Sequence, residues 1–352
     1  MLPSQQRICP WDSDMRIADY GFPEVAGMID DSKSEIANPK LEHVPVLLRD
    51  AVDLLAPKAG GVYVDGTLGA GGHAAEILKR SAPDGILIGM DRDADAVERC
   101  RISLAAYGVR VLLRQMNFRD LPSVLPELGY EAVDGVLLDL GVSWFHLKTP
   151  ERGFSFMLDG PLDMRMDAGN PRTAADLVNS LPREELARIL REYGEESRAS
   201  AIARAIEKAR ARGPITSTVQ LAKIVSSVFP PYPPRRSHPA TLTFQALRIA
   251  VNDEIDSLRM GLDRIVPFLK PGGRLAVITF HSLEDRVVKQ TFARSAKGCI
   301  CPPRLPVCSC GRKPILKVLT PRPITPGSEE VEKNPAARSA KLRVAEKLRN
   351  EE

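Results

Sequence analysis

Aromatic residues make up only 5% of the 352 residues, too few for a binding surface built from many stacking rings. No run approaches the roughly 18 consecutive apolar residues that a membrane-crossing helix needs, so no membrane partner is expected. Near the start, Arg7, Asp12, Asp14 and Arg16 occupy the place where a secretory signal carries its apolar core, and the expected location is the cytoplasm. Cysteine is sparse and uneven. Of the six, Cys299, Cys301, Cys308 and Cys310 crowd together, while Cys9 and Cys100 stand alone. A disulfide framework spreads its cysteines through a small secreted chain, which this is not. The net charge of +4 permits a nucleic-acid partner without requiring one.

What is present is an alternation. Residues 1–40 carry no clear periodicity and are expected to be a poorly ordered extension. From about 42, short apolar runs alternate with amphipathic ones. Gly61–Asp65, Gly85–Asp91, Val109–Leu113 and Val133–Leu140 read as strands, with helices between them. Such alternation indicates a parallel sheet covered on both faces. The rhythm breaks over 149–241, where Pro182–Glu195, Ser200–Arg212 and the stretch capped by Ser217 and Gln220 read as helices and no strand is expected. It resumes with a long helix predicted over Phe244–Leu269, a Pro271-Gly272-Gly273 turn and a fifth strand, Arg274–Phe280. Ser282 and Asp285 could cap the next helix. Ile315–Leu319 and Ser339–Glu346 are two further strand candidates. The expected fold is therefore α/β, a seven-stranded, mostly parallel sheet formed by 41–148 and 242–352. An all-helical domain, 149–241, is inserted into it and expected to recognise substrate.

The most informative segment is Asp65-Gly66-Thr67-Leu68-Gly69-Ala70-Gly71-Gly72-His73, between the first strand and its helix. Glycines there let the backbone turn tightly and approach a ligand. Asp91, ending the second strand, is placed to accept from both ribose hydroxyls of an adenosine. The spacing departs from the dinucleotide pattern G-x-G-x-x-G and matches the methyltransferase form D/E-x-G-x-G-x-G, with Thr67 in place of the first glycine. Asp65, Asp91, Asp139 and His281 all end strands, so they should face one crevice. The cysteines, spaced C-x-C-x6-C-x-C, are ligand types for a structural zinc; reduced thiols in a loop are the alternative. Residues 286–328 hold nine Lys/Arg and no Asp/Glu, a possible RNA-backbone surface.

Several longer stretches carry a family resemblance: His43-Val44-Pro45-Val46-Leu47-Leu48, Asp65–His73, Asp139-Leu140-Gly141-Val142-Ser143, Glu151-Arg152-Gly153-Phe154-Ser155-Phe156, Gly160–Asp167, His238-Pro239-Ala240-Thr241, Phe244–Ile249, Ile278–Arg286 and Asn334–Arg343. From about 42 to its end the chain resembles the bacterial 16S rRNA (cytosine-N4)-methyltransferase family. The resemblance implies a class I, Rossmann-like fold, S-adenosylmethionine as cofactor, and methylation of a cytidine amine in the decoding region of the small ribosomal subunit. It also implies that Gly71, Gly72 and His73 line the cofactor loop, that Asp91 holds the ribose, that Phe118 packs near the adenine and that Asp139 contacts the cofactor. Where the family has a glutamine, seven positions after that aspartate, this chain has His146, which can still make one hydrogen bond.

The Asn/Asp-Pro-Pro-aromatic motif of many amino-methyltransferases is missing; Asp139-Leu140-Gly141-Val142 stands instead. Asp139 and then His281 are the candidate acceptors for the amine proton. A methyltransferase of another nucleic acid, or a ribosome-assembly factor without chemistry, are the competing readings. An assembly factor would show a damaged glycine loop or lack Asp91, and both are intact. The oligomeric state is open.

Overall fold

The computed structural model describes residues 45–230, 238–299, 301 and 310–349. The expectation for residues 1–40 therefore lies outside the described residues. Those described form two compact units, one of 45–144, 166–171 and 252–349, the other of 145–165, 172–230 and 238–251. No helix among them is long and apolar enough to cross a membrane.

The larger unit is built on seven strands: β1 Val62–Asp65, β2 Ile86–Asp91, β3 Val111–Gln115, β4 Val133–Asp139, β5 Leu269–Thr279, β6 Leu316–Val318 and β7 Lys341–Lys347. Their order is β3-β2-β1-β4-β5-β7-β6. The first five run parallel, and β7 runs antiparallel to both β5 and β6. This is the expected seven-stranded, mostly parallel α/β sheet. Every residue of β1 is buried, as a strand covered on both faces requires. On one face Tyr63, Leu87, Leu137, Ile278 and Leu342 pack under the helices Leu48–Leu55, Gly72–Arg80 and Ala94–Ser103. The alternate residues Val64, Ile88, Leu138 and Val277 are equally buried and point to the other face. Between β4 and β5 the register slips at Val133/Gly135, so Pro271-Gly272-Gly273 bulges out as the turn read from the sequence.

Two readings of the sequence need correction. The helix expected over Phe244–Leu269 is two helices, Thr241–Asn252 and Glu254–Ile265. They are broken at Asp253, whose φ is 51°, a conformation aspartate tolerates better than most residues. The Asn252 carbonyl accepts from Arg92 Nη1 at 2.5 Å and its side chain accepts the Met166 N–H at 2.8 Å, so the break is tied down on both sides. The helix Ser282–Ala296 is also capped differently. Glu284 accepts the N–H groups of Phe280 (2.8 Å) and His281 (3.4 Å), while Asp285 turns to Arg343 on β7 (2.6 and 3.2 Å).

The smaller unit is helical: Ala174–Ser180, Arg183–Gly194, Ala199–Arg210, Thr218–Ser226 and Thr241–Asn252 as far as Val251. Leu186, Leu190, Ile202, Ile206, Leu221 and Val225 close its core without solvent exposure. The Ser217 hydroxyl accepts the Gln220 N–H at 3.2 Å, and Gln220 reaches back to the Thr216 N–H at 3.0 Å. The glycines of the Glu151–Phe156 and Gly160–Asp167 stretches sit where two backbones cross. A Cβ on Gly160 would lie 2.0 Å from the Pro150 carbonyl oxygen. Thr218, fully buried, locks the crossing by donating to the Leu158 carbonyl at 2.8 Å and accepting the Gly160 N–H at 3.2 Å. Backbone cannot give way as a side-chain tip can. Gly160→Ala should therefore lower stability by about 3 kcal/mol, read as a lower midpoint in urea unfolding. An unchanged midpoint would mean that the crossing is loose in solution.

Candidate functional site

The glycine loop is sewn between the ends of three parallel strands. Gly66 N–H donates to the Leu137 carbonyl of β4 (2.9 Å) and Leu68 N–H to the Met90 carbonyl of β2 (3.1 Å). Thr67, the departure from the glycine pattern, has a structural role. Its hydroxyl accepts the Asp139 N–H at 2.6 Å, fastening the loop to the end of β4. Gly71 turns into the helix Gly72–Arg80 at φ 82°, a region open to glycine at little cost, and a Cβ there would meet the Cys100 sulfur at 2.9 Å. Gly72 lies against Pro45. His73 Nε2 lies 3.2 Å from the Val46 carbonyl. The Pro45-Val46 pair of the sequence motif thus supports the loop from behind. His43 and Val44 lie outside the described residues.

Three acids surround this loop. Asp91 holds it in shape: its Oδ2 accepts the Gly69 N–H at 3.0 Å and its Oδ1 the Asp93 N–H at 2.9 Å. Asp65 is 1% exposed; Oδ1 accepts the Thr67 N–H at 3.1 Å, and Oδ2 is buried without a partner. Asp139 is partly exposed, but its Oδ1 is sealed from solvent and likewise has no partner. Its Oδ2 lies 3.7 Å from His73 Nδ1. Burial pushes the Asp65 carboxyl up to about 7, opposed by the Thr67 hydrogen bond and helped by the charge on Asp91. Burial also drives Asp139 well above the ordinary carboxylate range, helped by Asp65 and Glu284.

The sign of the pH dependence follows. Between about 4 and about 7 the folded chain keeps on Asp65 a proton that the unfolded chain has lost. Stability therefore falls as pH rises through that window and levels off above it. Asp65→Asn should remove up to about 1.4 kcal/mol per pH unit of that slope, measured by urea unfolding between pH 5 and 8. Parallel curves for the two proteins would contradict the assignment.

His281 follows β5 after one residue, Phe280, and precedes the helix Ser282–Ala296. Its side chain is about one-tenth exposed, and neither ring nitrogen makes a hydrogen bond. Nε2 stands 3.1 Å from Glu284 Oε1, outside hydrogen-bonding geometry. Glu254 approaches the same pair. Glu254 and Glu284 were not singled out from the sequence; Glu284, three residues into a helix start, resembles an ordinary capping acid. Phe118 is 7% exposed and its ring rests on Gly261, where a Cβ would meet it at 2.5 Å. His146 belongs to the helical unit, where it is buried and stacks on Phe154 with centroids 4.7 Å apart. Cys299, Cys301 and Cys310 converge elsewhere in the larger unit; Cys308 lies outside the described residues.

The donor set tests which cofactor fits. Two buried acid oxygens lack partners, and a Cβ on Gly69 would meet nothing within 4 Å, so the loop has room beside it. A dinucleotide would bring a pyrophosphate's negative charges against Asp65, Asp91 and Asp139. S-adenosylmethionine brings an ammonium, a sulfonium and a ribose diol, all of which acids receive well. The residues present fit the latter.

Residues 40–348 match the MraW methylase family. The chain belongs to that family. It is an S-adenosylmethionine-dependent methyltransferase. Among curated relatives it is 55% identical over 309 residues to ribosomal RNA small subunit methyltransferase H of Carboxydothermus hydrogenoformans, covering 88% of this chain and 99% of that one. It is 56% identical over 307 residues to the protein of the same name from Geobacter sulfurreducens, covering 87% and 99%. A solved structure of an rRNA methylase from Streptococcus thermophilus overlays with a TM-score of 0.38 at 10% identity, covering 86% of this chain and 94% of that one.

Proposed function

We propose that this MraW-family methylase transfers the methyl group of S-adenosylmethionine to N4 of a cytidine in the 16S RNA of the small ribosomal subunit, in the cytoplasm. The small-subunit rRNA substrate is supported by the names of relatives at 55 and 56% identity over nearly their whole length. The observation that carries the chemistry is a pair of buried groups at the ends of adjacent strands, Asp139 Oδ1 after β4 and the His281 ring after β5, each with unfilled hydrogen-bonding capacity.

The cofactor supplies an electrophilic methyl on a sulfonium. The N4 lone pair of cytosine is delocalised into its ring, so an acceptor at the amine N–H is needed to localise it and take the proton. Asp139 is the first residue for that role and His281 the second. Methylation at the ring carbon C5 would need a nucleophile to add at C6. The cysteine beside the glycine loop cannot serve. Cys100 is buried under Gly71, and desolvation, with the nearby acids, pushes its thiol up to about 12, far from the thiolate that acts as nucleophile. This argues against C5 methylation through Cys100.

In this reading Gly71, Gly72 and His73 line the cofactor loop, Asp65 and Asp139 receive its cationic end and Asp91 its ribose. Phe118 packs near its adenine. The target base must leave its stack to reach the strand ends. The helical unit recognises the RNA around it. The exposed Lys313, Lys317 and Arg322 contact backbone phosphates.

The test offers labelled S-adenosylmethionine with small-subunit RNA, assembled small subunits, transfer RNA and duplex DNA, all from cells lacking this chain. Label in small-subunit RNA, free or assembled, is expected. Label confined to transfer RNA or DNA would overturn the substrate.

A further inference from the structure

The helix Ser282–Ala296 and strand β6 are joined by residues 297–315, and the base of this connection is closed by hydrogen bonds to the helix's last carbonyls. Ile315 N–H donates to the Ser295 carbonyl at 2.8 Å, and Arg312 Nη2 to the Arg294 carbonyl at 2.7 Å. Pro314 rests against Gly298. Just beyond that closure, three cysteines from the two sides of the connection come together. Cys299 and Cys301 follow the helix, and Cys310 precedes the strand. Their three sulfurs all lie within 4.8 Å of one another.

The distances discriminate between the fates of such sulfurs. Cys299 and Cys310 are 3.8 Å apart, sulfur to sulfur, well beyond the roughly 2.05 Å of a disulfide. Two thiolates bound at about 2.3 Å to one tetrahedral ion stand about 3.8 Å apart. The Cys301 N–H approaches the Cys299 sulfur at 3.4 Å, the kind of backbone donation that steadies a metal-bound thiolate. Nothing in methyl transfer uses these residues.

We propose that Cys299, Cys301 and Cys310 are ligands of one zinc ion, which clasps the end of the helix Ser282–Ala296 to the start of β6. The three thiols lose their protons to solvent as the metal binds, and the soft thiolate set selects zinc over magnesium or calcium. The clasp is structural. It fixes the stretch that carries Arg312, Lys313 and Lys317, so the basic surface is presented in one arrangement.

The full-length chain, purified under reducing conditions without chelator, should carry one equivalent of zinc by elemental analysis. Cobalt(II) in its place should give a thiolate-to-cobalt charge-transfer band and the intense visible bands of a tetrahedral site. Cys301→Ser and Cys310→Ser should each weaken metal binding by at least about tenfold. Zinc below a tenth of an equivalent, with no charge-transfer band on adding cobalt(II), would overturn the proposal. So would full metal content in both serine variants. The wild-type cobalt spectrum decides the matter even if a serine variant fails to fold.

Discussion

Replacing Asp91 with alanine should weaken S-adenosylmethionine binding by about two to four orders of magnitude. The estimate comes from two charge-assisted hydrogen bonds to the ribose hydroxyls at about 1.5–3 kcal/mol each. A second effect acts in the same direction. In the structure both Asp91 oxygens hold backbone N–H groups, Gly69 of the glycine loop and Asp93 at the next helix start. Alanine thus removes a ribose ligand and unpins the loop. Asp91→Asn, which keeps one acceptor oxygen, should lose less. Equilibrium dialysis with labelled cofactor separates the cases. If alanine costs under tenfold, Asp91 does not hold the cofactor and the site has been misread.

The second large effect is expected at Asp139. Its Oδ1 is buried without a partner, next to a strand end that also carries His281. Asp139→Asn can place an amide donor where the amine proton needs an acceptor. The catalytic rate should fall by about 10²–10⁴-fold, the usual worth of a positioned acid or base. His281→Gln should cost less, since glutamine can still accept. The wild-type rate should rise with pH and level off at a higher pH than an ordinary carboxylate would give, because burial holds the Asp139 carboxyl well above its ordinary range and only the ionised form can take the amine proton. Single-turnover rates at saturating cofactor test this directly. A larger loss at His281 than at Asp139 would transfer the acceptor's role to the histidine.

The sheet was legible because its strands are buried on both faces. Gly61–Asp65 and Gly85–Asp91 read as apolar runs that end in acids, Val133–Leu140 as one that ends just past Asp139, and β1, β2 and β4 lie there. The glycine loop was legible through spacing. Tertiary devices were not. The break at Asp253 follows an amphipathic stripe that continues unbroken across it; what ends the first helix is Asn252 being held by Arg92 and Met166, distant in sequence. Thr67 read as a mere departure from a pattern, because its partner, the Asp139 N–H, is 72 residues away. Glu284 displaced Asp285 as the capping acid, since Arg343 of β7 claims the latter. In each case the deciding partner comes from another element, which local periodicity does not record.

Nucleoside mass spectrometry of the methylated RNA tests the central claim most directly. Small-subunit RNA from cells lacking this chain is treated with the chain and S-adenosylmethionine, digested and analysed, with Asp91→Ala in parallel. N4-methylcytidine should appear with the wild-type chain and be lost with the variant. 5-Methylcytidine in its place, or no methylated cytidine while the cofactor still binds, would contradict the account.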